Sequence, residues 1–166
     1  MRFFLPLLIL AVVLVAPGRA EDADANFRAG LAAFNEGSYA RAFAAWGPIA
    51  AAGEARAQEG IGYMYYSGRG VPRDSRKAAE FFYRAANQGE PTAQLFLALM
   101  YDRANGVPKS PPLAMMWLEL AMAGGQAEAF DFRENIMQSM SEAERTEAWR
   151  LIARWRETHA TKDAGK

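Results

Sequence analysis

A single histidine, His159, and no cysteine occur in this chain of 166 residues. Those counts exclude disulfides, a thiol nucleophile, a thiolate metal site and any pair of imidazoles. His159 stands among Thr158, Ala160 and Thr161 near the end of the chain. It is expected there as a solvated tail residue, because a catalytic or ligating imidazole needs a partner and a packed shell. There is no His-Glu-x-x-His string, no Gly-x-Ser-x-Gly elbow and no phosphate loop. Gly68-Arg69-Gly70 lacks the third glycine of a dinucleotide fingerprint and reads as a turn. Carboxylate chemistry remains open: Glu54 with Glu59, or Asp102 with Asp131, would serve as acid and base if they converged. In a helical protein such acids are more commonly solubilising charges, and a site has to be argued from its own geometry. The expectation is no catalytic residue, no metal and no cofactor.

Positioning falls to a repeat. Residues 57–89 return 36 positions later as 93–125, pairing Gln58 with Gln94, Met64 with Met100, Tyr65 with Tyr101, Gly70 with Gly106, Pro72 with Pro108 and Gly89 with Gly125, without a gap. Two helix-length halves in one such period predict a helical solenoid, whose units bury their apolar faces only against neighbours. In the clearer unit Ala57, Ile61, Met64 and Tyr65 form the buried stripe of a first helix over 55–65. Gly62, unfavourable in a helix by up to about 1 kcal/mol, is placed where a second helix must pack close. That second helix, 76–88, turns Ala78, Phe81, Phe82, Ala85 and Ala86 inward and a Glu80–Arg84 pair outward, with Asp74 as its cap. Ser110 and Pro111 open the corresponding helix of the copy, Pro91 opens its first helix, and Gly89 and Gly125 end the second helices. Met64, Met100, Met115, Met116 and Trp117 are read as core filling.

A shorter unit precedes these two, with Ala42, Trp46 and Gly53 matching Ala78, Phe82 and Gly89. A final helix pair follows, the last helix opened by Ser141 and Glu144 at capping-box spacing and carrying Trp149, Ile152 and Trp155 on its apolar side. The expected organisation is therefore 21–53, 54–89, 90–125, a C-terminal capping helix pair at 126–158, and a flexible tail at 159–166.

The string from Gly60 through Tyr63, Gly68, Gly70, Asp74, Lys77, Ala78, Phe81, Ala85 and Ala86 to Gly89 resembles the Sel-one-like repeat, a subclass related to the tetratricopeptide repeats. The second copy departs from it where Asp74 becomes Ser110, Lys77 becomes Leu113 and Gly68 becomes Ala104. The resemblance implies an all-α fold, an α/α superhelical solenoid of antiparallel helix pairs, used as a scaffold for protein interactions with no activity inherent to the repeat. In such superhelices the first helix of each pair lines the concave side, where a partner segment can lie. The strip expected there is Phe27, Leu31 and Phe34, then Arg56, Glu59, Tyr63 and Tyr66, then Leu95, Leu99, Asp102 and Arg103, then Asp131, Asn135 and Gln138. Its mixture of tyrosine, arginine and carboxylate suits a peptide or protein partner. The alternative for Tyr63, Leu95 and Leu99 is that they pack against the adjacent unit. A competing function is a cell-wall-directed hydrolase or small-ligand protein that uses groove carboxylates.

Arg2, the apolar run 3–15 and the small residues Gly18 and Ala20 have the three parts of a secretory signal, and the run is too short for a membrane helix. Cleavage after Ala20 is expected, leaving a periplasmic or secreted chain with no stable membrane insertion; retention as an anchor is the alternative. Removing Arg2 and Arg19 leaves 17 basic against 19 acidic side chains, a balance with no electrostatic footprint for nucleic acid.

Overall fold

A computed structural model describes residues 18–163 of the chain, with side chains from 21 to 159; the leader read at 1–20 lies outside the described side chains. The described residues form eight helices and no strand: α1 (Gly18–Asn35), α2 (Tyr39–Ala51), α3 (Ala55–Ser67), α4 (Ser75–Ala86), α5 (Pro91–Asp102), α6 (Pro111–Ala123), α7 (Ala129–Ser139) and α8 (Glu142–Asp163). The pairs α1–α2, α3–α4 and α5–α6 are hairpins, and α2 packs on α3 as α4 packs on α5. Chain order is therefore stacking order, the arrangement of a helical repeat solenoid.

The helix boundaries follow from the punctuation. Asp74 accepts from the Arg76 and Lys77 backbone N–H groups at 3.1 and 3.0 Å, and Ser110 accepts from that of Leu113. Pro91 and Pro111 occupy first turns, where a missing N–H costs nothing. Ser141 and Glu144 complete the reciprocal capping box, the Ser141 N–H donating to the Glu144 carboxylate at 2.8 Å and the Glu144 N–H to the Ser141 hydroxyl at 3.3 Å. The turn of each unit then settles on the second helix of the unit before it. A Cβ on Gly70 would lie 2.6 Å from that of Tyr39, and one on Gly106 would lie 2.2 Å from the Ser75 carbonyl oxygen. Tyr39 and Ser75 are the first residues of α2 and α4, so one close approach is repeated 36 positions on.

The seams between units are packed by complementary volumes. Trp46 is wedged between Gly30 and Gly60, where a Cβ would lie 2.3 and 2.8 Å from its indole, and its N–H donates to the Phe27 carbonyl at 3.1 Å. At the next seam the equivalent pair is Phe82 and Phe96, stacked at 5.0 Å. A larger ring faces glycine in one seam; two medium rings share the space in the other. Gly62 has the packing role expected of it, a Cβ there meeting Phe82 at 3.0 Å. Met64, Met100, Met115, Met116 and Trp117 are all buried.

Four expectations are corrected. Glu80 and Arg84 are exposed, as expected, but form no ion pair among the described residues; the Arg84 guanidinium lies over the Phe81 ring at 5.4 Å. Trp149 is 49% exposed, and Ala148 enters the core in its place. The last two helices do not form a hairpin: α7 and α8 both pack on α6, and α8 barely touches α7. Finally, α8 continues past residue 158, and His159 stacks on Trp155 at 3.8 Å with Nδ1 2.8 Å from the Trp155 carbonyl oxygen. That contact holds it out of a solvated tail.

Candidate functional site

Arg56, Glu59, Tyr63 and Tyr66 recur at three- and four-residue steps on α3, so they share one face beside the buried stripe of Ala57, Ile61 and Met64. The rings on that face are linked along the stack. Phe34 of α1 meets Tyr63 of α3 edge-on at 5.9 Å, Tyr63 meets Phe96 of α5 at 5.8 Å, and Phe96 meets Tyr66 at 5.3 Å. Phe27 and Phe34 also stack on Trp46. One band of half-buried aromatic side chains thus joins the three first helices.

Leu95 departs from the expected strip. It is 8% exposed and belongs to the core, and Leu99 packs half-buried against that core. The α5 sequence is apolar on nearly every side, so its outward face does not reproduce that of α3. Asp102 is half-buried and Arg103 exposed at the end of α5. Asp131 and Asn135 are exposed on α7, Asn135 donating to the Asp131 carbonyl at 3.0 Å. No hydrogen bond joins Asp102 to Asp131 among the described residues.

Charge is distributed unevenly along the band. At the start of α3, Arg56 lies 4.3 Å over Phe27 and pairs with Glu54 at 2.7 Å and Asp24 at 3.2 Å. Glu54 meanwhile accepts from the Ala57 N–H at 2.6 Å as the cap of α3. The Glu59 carboxyl is pushed up to about 7, first by burial and then by the charge of Glu90, with the Ala93 N–H opposing. Glu90 is raised as well, by burial and then by Glu54, against Arg56. Glu90 stands at the N-cap of α5 without capping it through its side chain, so Glu59 supplies an acceptor there from the neighbouring unit.

At the other end of α3 the charge has the opposite sign. The exposed Arg69 guanidinium lies 5.7 Å from the Tyr63 ring centroid and 5.8 Å from those of Phe34 and Tyr39. It makes no side-chain hydrogen bond or ion pair among the described residues. A guanidinium laid on aromatic faces keeps its donors in the plane free for a carboxylate. Arg69 and Phe96 are the two residues of the band that reading the sequence misses. Phe96 stands where the other unit has Gly60, and Arg69 sits in a turn treated only as a turn. Among the described residues no group of three or more His, Asp or Glu side chains could hold a metal ion, and no helix is long and apolar enough to cross a membrane.

Residues 55–90 and 91–125 each match the family model of the Sel1 repeat. The chain superposes on a Sel1 repeat protein from Oxalobacter formigenes with a TM-score of 0.64 and 32% identity, covering 70% of this chain and 91% of that one. It also superposes on a protective antigen of uropathogenic Escherichia coli strains that displays an SLR fold, with a TM-score of 0.79 and 26% identity, over 87% of this chain and 32% of that one. Over 87 residues it is 38% identical to the ERAD-associated E3 ubiquitin-protein ligase component HRD3B of Arabidopsis thaliana, a stretch that is 52% of this chain and 14% of the plant protein.

Proposed function

The chain belongs to the Sel1 repeat family, and from that premise we propose that it is a non-enzymatic binding scaffold that holds a polypeptide along the first-helix side of its stack. Repeats of this family generally serve protein–protein interaction, and one relative is named as a component of a larger ligase assembly. The bound segment runs over Phe34, Tyr63, Phe96 and Tyr66, with Arg103 and Asp102 at the margin, and presents an acidic residue to Arg69. The observation that carries this reading is the Arg69 guanidinium, held over three rings with no carboxylate of its own among the described residues. Aromatic and arginine side chains are those on which interface energy concentrates. We place the function outside the cytoplasm, on the strength of the leader; an exported chain beginning at Glu21 supports that, and one retaining Met1 contradicts cleavage.

Selection from a random peptide library, run in parallel on the native chain and on R69E, tests the binding mode. Peptides enriched on the native chain should carry Asp or Glu at a fixed position and lose about tenfold or more in affinity on R69E, the scale of a charge-assisted pair. Equal binding to R69E removes Arg69 from the site. A second reading, in which Glu59 and Glu90 act as an acid–base pair on cell-wall material, draws on the Glu59 carboxyl poised at about 7. It requires turnover of cell-wall fragments by the purified chain that E59Q abolishes.

A further inference from the structure

Because α8 returns to α6 and leaves α7 aside, it completes an open cavity of about 260 Å³ lined by residues of α4, α5, α6 and α8. This space shares no lining residue with the aromatic band and has no counterpart in the repeat, since it depends on the terminal helix. Its wall is aromatic. Tyr83 meets Trp117 edge-on at 6.2 Å, Trp117 meets Trp155 at 6.5 Å, and Trp155 carries the His159 ring in a parallel stack at 3.8 Å. Tyr83 is 51% exposed and stands at the mouth, while Trp117 forms the floor at 2% exposure.

The polar character of the lining has one sign. Among the described residues no carboxylate borders the cavity, while Arg154 and His159 do. Arg154 makes no ion pair among the described residues, although Glu147 lies within electrostatic reach of it. Of the buried side-chain polar atoms left without a partner among the described residues, the two that belong to this lining are donors, the indole N–H groups of Trp117 and Trp155; the third, Gln94 Oε1, lies outside it. Both are closed off from water, so an entering anion would meet the exposed Arg154 first. His159 donates its Nδ1–H to the Trp155 carbonyl, which fixes its ring against Trp155 and leaves Nε2 as an acceptor in the neutral imidazole, so the anion-binding charge of the lining is that of Arg154.

We propose that this cavity is a binding site for a small aromatic carboxylate, its ring set against Tyr83, Trp117 and Trp155 and its carboxylate on Arg154. Rings pack on rings edge-to-face or offset, and a guanidinium gives a carboxylate two parallel donors. Such a group is presented either by a free aromatic acid or by a polypeptide ending in an aromatic residue.

Calorimetric titration of the purified chain with N-acetylphenylalanine, N-acetylphenylalaninamide and a pentapeptide ending in phenylalanine tests the site. One equivalent of N-acetylphenylalanine should bind, the amide about tenfold or more weakly, and R154Q should lose about as much as removing the charge from the ligand. R69E should bind it unchanged, which separates this site from the aromatic band. Equal affinity of the pentapeptide supports a chain end as the ligand, and weaker affinity supports a free acid. Absence of binding at millimolar concentration, equal affinity for acid and amide, or an unaltered R154Q with native helicity each overturns the proposal.

Discussion

At the scale of single residues, the two copies of the repeat differ in ways that can be measured. Ala104 has φ +52°, while Gly68, its counterpart, has φ +75°. An L-residue in that region costs about 1–2 kcal/mol, partly offset by the backbone entropy a glycine loses on folding. A104G should therefore raise stability by about 0.5–1 kcal/mol, read as a small increase in Tm. Glu59 gives a prediction in pH. Its folded carboxyl holds a proton up to about 7, whereas the unfolded chain releases it near 4.5. The folded state thus binds more protons between those values, and stability falls as pH rises through that window. Glu90, raised in the same direction, adds to the decline. E59Q, which keeps an acceptor for the Ala93 N–H, should flatten the profile and gain about 2 kcal/mol at pH 8, allowing for screening by nearby water. Urea unfolding at pH 5 and pH 8 checks both signs.

Elements were legible wherever local chemistry repeats. Gly70 and Gly106, Pro91 and Pro111, Asp74 and Ser110 fix turns and caps through backbone preferences that do not depend on the rest of the molecule. Seams were not legible, because they are set by pairs of residues that change together. Trp46 with Gly60 becomes Phe82 with Phe96, so a search for identity between copies passes over Phe96. G60A should lose about 1–3 kcal/mol through overpacking, since its Cβ would lie 2.8 Å from the Trp46 ring. Adding W46F should recover much of that loss, and a double-mutant cycle measures the coupling. The return of α8 onto α6 was hidden for a related reason: Ile152 and Trp155 announce an apolar side without naming the helix that receives it. The same helix period makes Trp149 look like a core residue, although Ala148 is the one that turns inward.

At the scale of the whole molecule, three stacked hairpins carry one band of linked rings, with carboxylates Glu54, Glu59 and Glu90 in excess over Arg56 toward the start of the first helices, and Arg69 and Arg103 in excess over Asp102 toward their ends. A segment lying along the stack meets this separation of charge across its width, which selects one orientation over its reverse. The most direct measurement places a photoreactive side chain at position 103, beside the band, or at position 84, exposed on α4, in the producing cell. Polypeptide adducts should form from position 103, disappear when R69E is added, and be absent from position 84. Adducts that arise from position 84 alone, or that persist undiminished with R69E, would contradict the account.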